Sequence, residues 1–407
     1  MTAPTPAHEG STYQPRVAYD LEARRPYLVQ PFSDAEYDRR VGAVCLAMAR
    51  AGLGALVVYG SAGAPSAVTY LTNFAPVFGS AFAVVHADGR VILATDSILH
   101  GEPMHSMIWM CRVPDVRIAL GPVYGGAADQ VALLAADAVG AARPVGLVGT
   151  SIVPHPIYAA LASRMPSLVA ADDVLAAVRV EKSDEELAVM RRGGEIADEA
   201  MAAALGRVAA GVEETVVAAG AVERLHARGA REAFATCVVG GAQAGLKHGV
   251  PRRRALRDGE LVFLDLGAAF GGYCTDTSRC TAVGRAAGAP RALLEIGLAL
   301  YHAGLEHVRP GATIDDVSRA LLRVVAGTPY EPYYCAGGFG HGIGMSVIEV
   351  PGLYAGSTTV LRPRMTVAYE PMVVTEGLGT GVVEDTLVIT DTGYERLTNS
   401  PIVTWTT

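Results

Sequence analysis

Residues 261–284 read LVFLDLGAAFGGYCTDTSRCTAVG, two strand-like runs on either side of a Phe-Gly-Gly turn. A loop centred between Phe270 and Gly271 sets Asp265 and Asp276 directly opposite each other on neighbouring strands. Like charges so placed repel and weaken the pairing. Asp265 also follows the apolar run LVFL, which points to burial, and a buried unpaired carboxylate is costly. A divalent cation between the two removes both penalties. Pairing of one aspartate with Arg279 and hydration of the other removes them equally well, so the hairpin alone leaves both readings open.

Working outward, three further segments carry ionisable groups in apolar or glycine-rich surroundings. His341 lies in GGFGHGIGMSV, where the glycines allow the backbone to approach a site closely. Glu370 lies in VAYEP, held extended by Pro371, and its neighbours are apolar. Glu384 lies in GVVEDTLVIT, on a strand face shared with Val382, Thr386 and Val388. Each taken singly is an ordinary structural histidine or rim glutamate. Taken together, the four carboxylates are neutralised by two divalent cations without help from Lys or Arg. One imidazole among oxygens suits Mn, Fe, Co or Zn better than Ca.

A chain of 407 residues fits two domains better than one. Residues 1–30 are rich in Pro and Thr and read as an irregular arm. Residues 31–177 read as an α/β domain. It opens on a capping box, Ser33 with Glu36, ahead of a helix bearing Val41, Val44, Met48 and Ala51 and stopped by Gly52 and Gly54. A strand at Leu56–Tyr59 and a hairpin around Ala-Asp-Gly-Arg between Phe82–Val85 and Val91–Ala94 follow. This domain holds neither a GxGxxG spacing nor a Walker loop, and His86, His100 and His105 form no metal-ligand spacing. Residues 178–407 read as α+β: a second capping box, Ser183 with Glu186, a helix lined by Leu187, Met190, Ala197, Met201 and Leu205, strands with Gly-rich turns, helical stretches near 290–307 and 314–326, and a strand-rich close from Arg364.

Acidic residues outnumber basic ones, 41 to 33, which gives no footprint for nucleic acid or an anionic membrane. Arg252–Arg254, the one basic run, reads as a solvated turn. The start MTAPTPAHEG lacks a signal-peptide pattern and no apolar stretch spans a bilayer. Six scattered cysteines without a CxxC pair fit a reduced, cytoplasmic protein.

These residues stand in a pattern that resembles the aminopeptidase P, prolidase and creatinase family over about residues 33 to 400. Asp265 and Tyr273-Cys-Thr-Asp276-Thr-Ser-Arg279 match its first ligand motif, Gly340-His341-Gly342-Ile343-Gly344 its GHGIG motif, Glu370-Pro371 its Glu-Pro and Glu384-Asp385 its last Glu-Asp. His248 matches its upstream histidine, and Arg179, Lys182, Ser183 and Glu186 match its linker motif. The resemblance implies a creatinase-type N-terminal α/β domain followed by an α+β pita-bread catalytic domain. It implies two divalent ions, Mn first, held by Asp265, Asp276, His341, Glu370 and Glu384. It further implies hydrolysis of a C–N bond in a short peptide or small molecule, with Glu370 moving the proton of the attacking water, His248 hydrogen-bonding substrate, and a homodimer. Phe234, Arg279, Ile348 and Val382 are then residues of the pocket or its immediate support, and Tyr330, Tyr333 and Tyr334 candidates to line it. Three positions depart from the pattern: Ile348 replaces a substrate-contacting histidine, Val382 an arginine, and Met372 a glycine. The departures favour a rival on the same scaffold, a hydrolase or lyase of a small metabolite in the manner of creatinase or ectoine hydrolase; a binding module without catalysis stands further off, since all five ligands are kept.

Overall fold

The computed structural model describes residues 30–95, 111–118, 126–139, 143–245, 249–335 and 337–403. The chain divides into two compact units, Met1–Val178 and Arg179–Thr407. Nearly all of the N-terminal arm lies outside the described residues, as do His100, His105 and His248.

In the first unit Ser33 caps helix α1 (Asp34–Arg50), its side chain accepting the Glu36 N–H at 3.2 Å. The Glu36 carboxylate turns to Arg39 and Arg40 at 2.8 Å, so the capping box read from the sequence is realised only in its hydroxyl half. Strands β1 (Ala55–Ser61), β2 (Ser80–His86), β3 (Val91–Thr95), β4 (Asp115–Ile118), β5 (Val145–Val148) and β6 (Leu168–Ala170) form a mixed sheet in the order β4-β3-β2-β1-β5-β6. Helices α2 (Ser66–Thr72), α3 (Gly126–Val139), α4 (His155–Arg164) and α5 (Asp172–Arg179) complete its elements.

The second unit begins with the full capping box. Glu186 N–H donates to Ser183 Oγ at 3.2 Å, and Ser183 N–H to Glu186 Oε2 at 2.6 Å. Helices α6 (Asp184–Leu205) and α7 (Glu214–Ala227) follow, then strands β7 (Arg231–Glu232), β8 (Cys237–Gly240), β9 (Leu261–Leu266), β10 (Ala268–Phe270), β11 (Tyr273–Cys274) and β12 (Thr277–Ala282). The period of two along β8 and β9 sorts two cores. Val238, Val262, Leu264 and Leu266 join the residues of α6 and α7. Cys237, Val239, Leu261 and Phe263 face the other way, toward helices α8 (Gly288–Leu305) and α9 (Ile314–Val325). Asp265 continues the second set and is therefore carried into the protein interior.

The hairpin register differs from the sequence reading. Phe270 pairs with Tyr273, so the turn is Gly271-Gly272, with φ of 55° and 84°. A two-residue turn of this hand needs positive φ at both central positions, and two consecutive glycines supply it at no steric cost. Asp265 consequently faces Ser278, not Asp276. Asp276 lies one step diagonally along the same face, in the gap between β11 and β12.

The remaining strands are β13 (Gly340–Gly342), β14 (Glu349–Gly352), β15 (Thr366–Tyr369), β16 (Met372–Thr375), β17 (Gly379–Val382), β18 (Asp385–Ile389) and β19 (Tyr394–Arg396). They build a five-stranded sheet, β14-β13-β15-β18-β19, and the two-stranded ribbon β16-β17. The basic run is not simply solvated. Arg252 and Arg254 converge on the buried Glu214, and Arg254 also grips Glu260 with both Nη atoms, at 2.8 and 2.6 Å. Among the described residues no helix is long and apolar enough to cross a membrane.

Candidate metal centre

The five-stranded sheet brings its acidic positions together by register. His341 pairs with Ala368 and Ala368 with Thr386, while Tyr369 pairs with Asp385. Carrying that register one residue further sets Glu370 against Glu384. Asp276 has no place in a ladder, and the Thr386 hydroxyl holds its backbone from both sides. It accepts from Asp276 N–H and donates to Asp276 C=O, each at 2.8 Å. Carboxylate oxygens of Asp265, Asp276 and Glu384 all lie within 4.8 Å of one another, and all three residues are buried. His341 Nε2 is 3.8 Å from Asp276 Oδ2 and 4.0 Å from Glu370 Oε1.

Those two distances exceed a hydrogen bond. They leave room between the groups for a cation that each would hold at about 2.0–2.2 Å. The imidazole is oriented for such a role. Its Nδ1 sits 3.0 Å from the Gly342 carbonyl, which has no proton to give, so Nδ1–H donates and Nε2 is left with its lone pair toward the carboxylates. Asp276 Oδ1 is buried with no hydrogen-bond partner among the described residues. Burial, and then the charges of Glu384, Asp265 and Glu370, push the Asp276 carboxyl well above its ordinary range. Burial and the charges of Glu370 and Asp265 do the same to Glu384. An unpartnered buried oxygen and two carboxylates that cannot comfortably ionise are what a divalent cation would satisfy. The donor set fits the group.

The alternative of an arginine counter-ion is not realised. Arg279 is fully buried but donates to Asp385 Oδ1 at 2.9 Å, to the Glu384 carbonyl at 2.6 Å, and to the Ser278, Ser400 and Pro401 carbonyls. It thus fixes the backbone that presents Glu384 and leaves the carboxylate cluster alone. Asp385 in turn receives the hydroxyls of Tyr301 and, at 2.9 Å, Thr398.

A cavity of about 410 Å³ opens on the cluster. Asp265, Asp276, His341, Glu370 and Glu384 line it together with Phe234, Val250, Val347 and Ile348. Ile348 is 72% exposed, an apolar side chain at the wall of a polar site. Val382 does not reach the cavity. It pairs directly with Met372 across the β16-β17 ribbon, and both belong to the core around α8. Two departures from the family pattern are therefore one structural event, an apolar cross-strand pair where the pattern has glycine beside arginine. Tyr330 and Tyr334 pack against the same core and Tyr333 is half exposed; none of the three lines the cavity. Thr236 does line it, a residue the sequence did not single out. A lone threonine at a strand entrance carries no local signal.

Residues 188–391 match the model of metallopeptidase family M24, and residues 40–181 that of the creatinase/prolidase N-terminal domain. The chain belongs to metallopeptidase family M24. Among M24 and related proteins, an Xaa-Pro dipeptidase of Pyrococcus horikoshii is 33% identical over 230 residues, 56% of this chain. The match spans 65% of that dipeptidase, just under two thirds of its length. The crystal structure of the prolidase from Pyrococcus horikoshii superposes with a TM-score of 0.78 at 24% identity, covering 89% of this chain and 99% of that one. Dipeptidase PepE from Mycobacterium ulcerans gives a TM-score of 0.77 at 26% identity, covering 91% and 98%. The M24 unit has the pita-bread fold and the first unit the creatinase-type fold, as the sequence resemblance implied.

Proposed function

We propose that this M24 protein is a dinuclear metal-dependent hydrolase of an amide C–N bond, with Xaa-Pro peptides as its first candidate substrates and Mn as its first candidate metal. The reading rests on one observation: four carboxylates and an imidazole gathered, largely buried, on the floor of a cavity of about 410 Å³. Asp265, Asp276, His341, Glu370 and Glu384 would hold the ions, whose four positive charges balance the four carboxylates. When bound, such ions lower the pKa of a water and polarise the carbonyl under attack. Glu370 is the carboxylate suited to proton transfer. Its side chain is 24% exposed, against 8% for Asp276, and Asp265 and Glu384 are buried, so of the four carboxylates it is the most open to the cavity. Its carboxylate would take the proton of the attacking water and return it to the leaving nitrogen. His248, which lies outside the described residues, is assigned a hydrogen bond to the substrate carbonyl on the family resemblance alone. A homodimer is the proposed assembly, and the cytoplasm the proposed compartment.

The test is metal analysis of purified protein, then a screen of Xaa-Pro dipeptides and tripeptides beside small amides after reconstitution with Mn or Co. Binding near two equivalents with cleavage of the peptides supports the reading. Absence of metal under every loading condition overturns it and leaves the binding-module reading.

A second reading, hydrolysis of a small non-peptide amide, is favoured by Ile348. At the place where the family pattern has a histidine facing substrate, the cavity wall offers an exposed apolar group and no hydrogen bond. Installing the missing donor separates the two. Ile348→His is expected to raise kcat/KM on Xaa-Pro peptides about tenfold, the worth of one hydrogen bond to a developing charge. A fall in peptide cleavage, with small-amide cleavage the higher activity in the wild type, assigns the site to the second class.

A further inference from the structure

Behind the loop that carries the cavity wall lies a cluster of buried charges that no part of the metal site uses. Glu349, one residue after Ile348, receives a hydrogen bond from Arg179 Nη2 and one from Ser346 N–H at 2.9 Å, and lies 3.6 Å from Lys182 Nζ. Lys182 is 2% exposed. Burial works to raise the Glu349 carboxyl, but the charges of Arg179 and Lys182 and the Ser346 N–H outweigh it and hold it below its ordinary range. Glu186, also buried, faces Lys182 and receives the Tyr273 hydroxyl. Two cations and two carboxylates thus balance in the interior.

The cluster touches three functional segments. Tyr273 and Cys274 lead into Asp276, and Cys274 N–H donates to the Gly344 carbonyl at 2.7 Å. Gly344 closes the GHGIG run that carries His341. A Cβ at Gly344 would stand 2.7 Å from Glu349 Oε2, so a side chain there would have to displace the carboxylate that Arg179 and Lys182 hold. The loop from Gly344 to Glu349 has Val347 and Ile348 on the cavity wall and Ser346 hydrogen-bonded to its end.

We infer that Arg179 and Lys182 are positioning residues for substrate fit: by gripping Glu349 they hold the Gly344–Glu349 loop, and with it the Val347–Ile348 wall, at a fixed distance from the carboxylate floor. The inference rests on the hydrolase reading for its effect on substrate, but not for its effect on the loop. Separation of a buried pair leaves a charge unsatisfied and is worse than removing both. Lys182→Met, Glu349→Gln and the double variant therefore form the test, in full-length protein loaded with Mn.

Amide hydrogen exchange across residues 344–349 is expected to speed up at least about tenfold in both single variants, since each leaves a buried charge of the cluster without its partner. Exchange in α8 and the Mn content should stay at wild-type levels. With whichever substrate the wild type cleaves, KM rises severalfold while kcat changes less than about twofold, since the ligands are untouched. Glu349→Asp, which keeps the charge, recovers part of both effects. Unchanged exchange at 344–349 overturns the inference whatever the substrate. So does loss of Mn and kcat with KM unaltered, which would make the cluster a support for the ligands. Failure of the wild type to cleave any amide would defeat the hydrolase reading, and the exchange experiment would still decide this one.

Discussion

Asp276→Asn is expected to lose bound Mn and to lower amide hydrolysis more than about a thousandfold, while leaving the metal-free protein at least as stable as the wild type at neutral pH. The loss follows from what a bound cation contributes: it brings the pKa of a water down to about 7, and without it the nucleophile is scarce. The stability follows from the electrostatics of the apo site. Asp276 sits among Glu384, Asp265 and Glu370 with one oxygen unpartnered, and Thr386 holds its backbone independently of the carboxylate. An amide of the same shape keeps the packing and drops the repulsion. Glu384→Ala should also lose metal and activity, but it empties a fully buried side-chain volume and costs stability by cavity formation. Inductively coupled plasma measurement of Mn, thermal melts and peptide turnover on the same preparations check all three. Wild-type turnover from metal-free Asp276→Asn protein would sink the metal scheme.

Much of this was legible in the residues, and what was not has identifiable causes. Ser183 and Glu186 announce α6 because a capping box is a contact three residues long. The same pattern at Ser33 placed the helix start correctly, but its glutamate half is lost because Arg39 and Arg40, on the next turn, claim the Glu36 carboxylate, and local pattern cannot rank those competitors. The hairpin at Gly271-Gly272 was visible, yet its centre was misplaced by one residue. The sequence offers several glycine-containing positions, and only the requirement for positive φ at two adjacent residues chooses between them. Arg279 was offered as a counter-ion for Asp265 or Asp276 and serves neither: its partner, Asp385, lies 106 positions on and is reached through β12 and β18. Lys182 and Glu349 are farther apart still. Pairs of that kind are set by sheet order and helix placement, which no window of sequence contains. The gathering of the carboxylates is of the same long-range type. Charge and apolar surroundings made each of them costly alone, and only the resemblance said where they go.

The same carboxylates should give the metal-free protein a pH dependence opposite in sign to that of most acidic groups. In the folded apo state Asp276 and Glu384 have carboxyls raised well above the ordinary values of 3.8 and 4.5. Between the unfolded and the folded pKa, the native state binds more protons than the unfolded one, so stability falls as pH rises through that window. The stabilising contribution is complete below about pH 4 and is lost as pH passes the raised values. The slope reaches about 1.4 kcal/mol per pH unit for each extra proton held, several degrees of Tm for a unit of this size. Other acids pull the other way at lower pH: Glu349 and Glu260 have lowered carboxyls, whose stabilising contribution grows only up to their ordinary value of 4.5 and is constant above it. The decisive quantity is therefore the difference between wild type and Asp276→Asn, measured by thermal or urea melts from pH 5 to 9 in chelator. That difference should move in favour of the variant as pH rises. Saturating Mn reverses it, because ligand binding adds about 2.7 kcal/mol at a hundredfold excess over Kd and strengthens as protons leave the site. Parallel curves for the two proteins in chelator would mean that Asp276 ionises as an ordinary aspartate, and the crowded carboxylate floor on which the centre depends would not exist in solution.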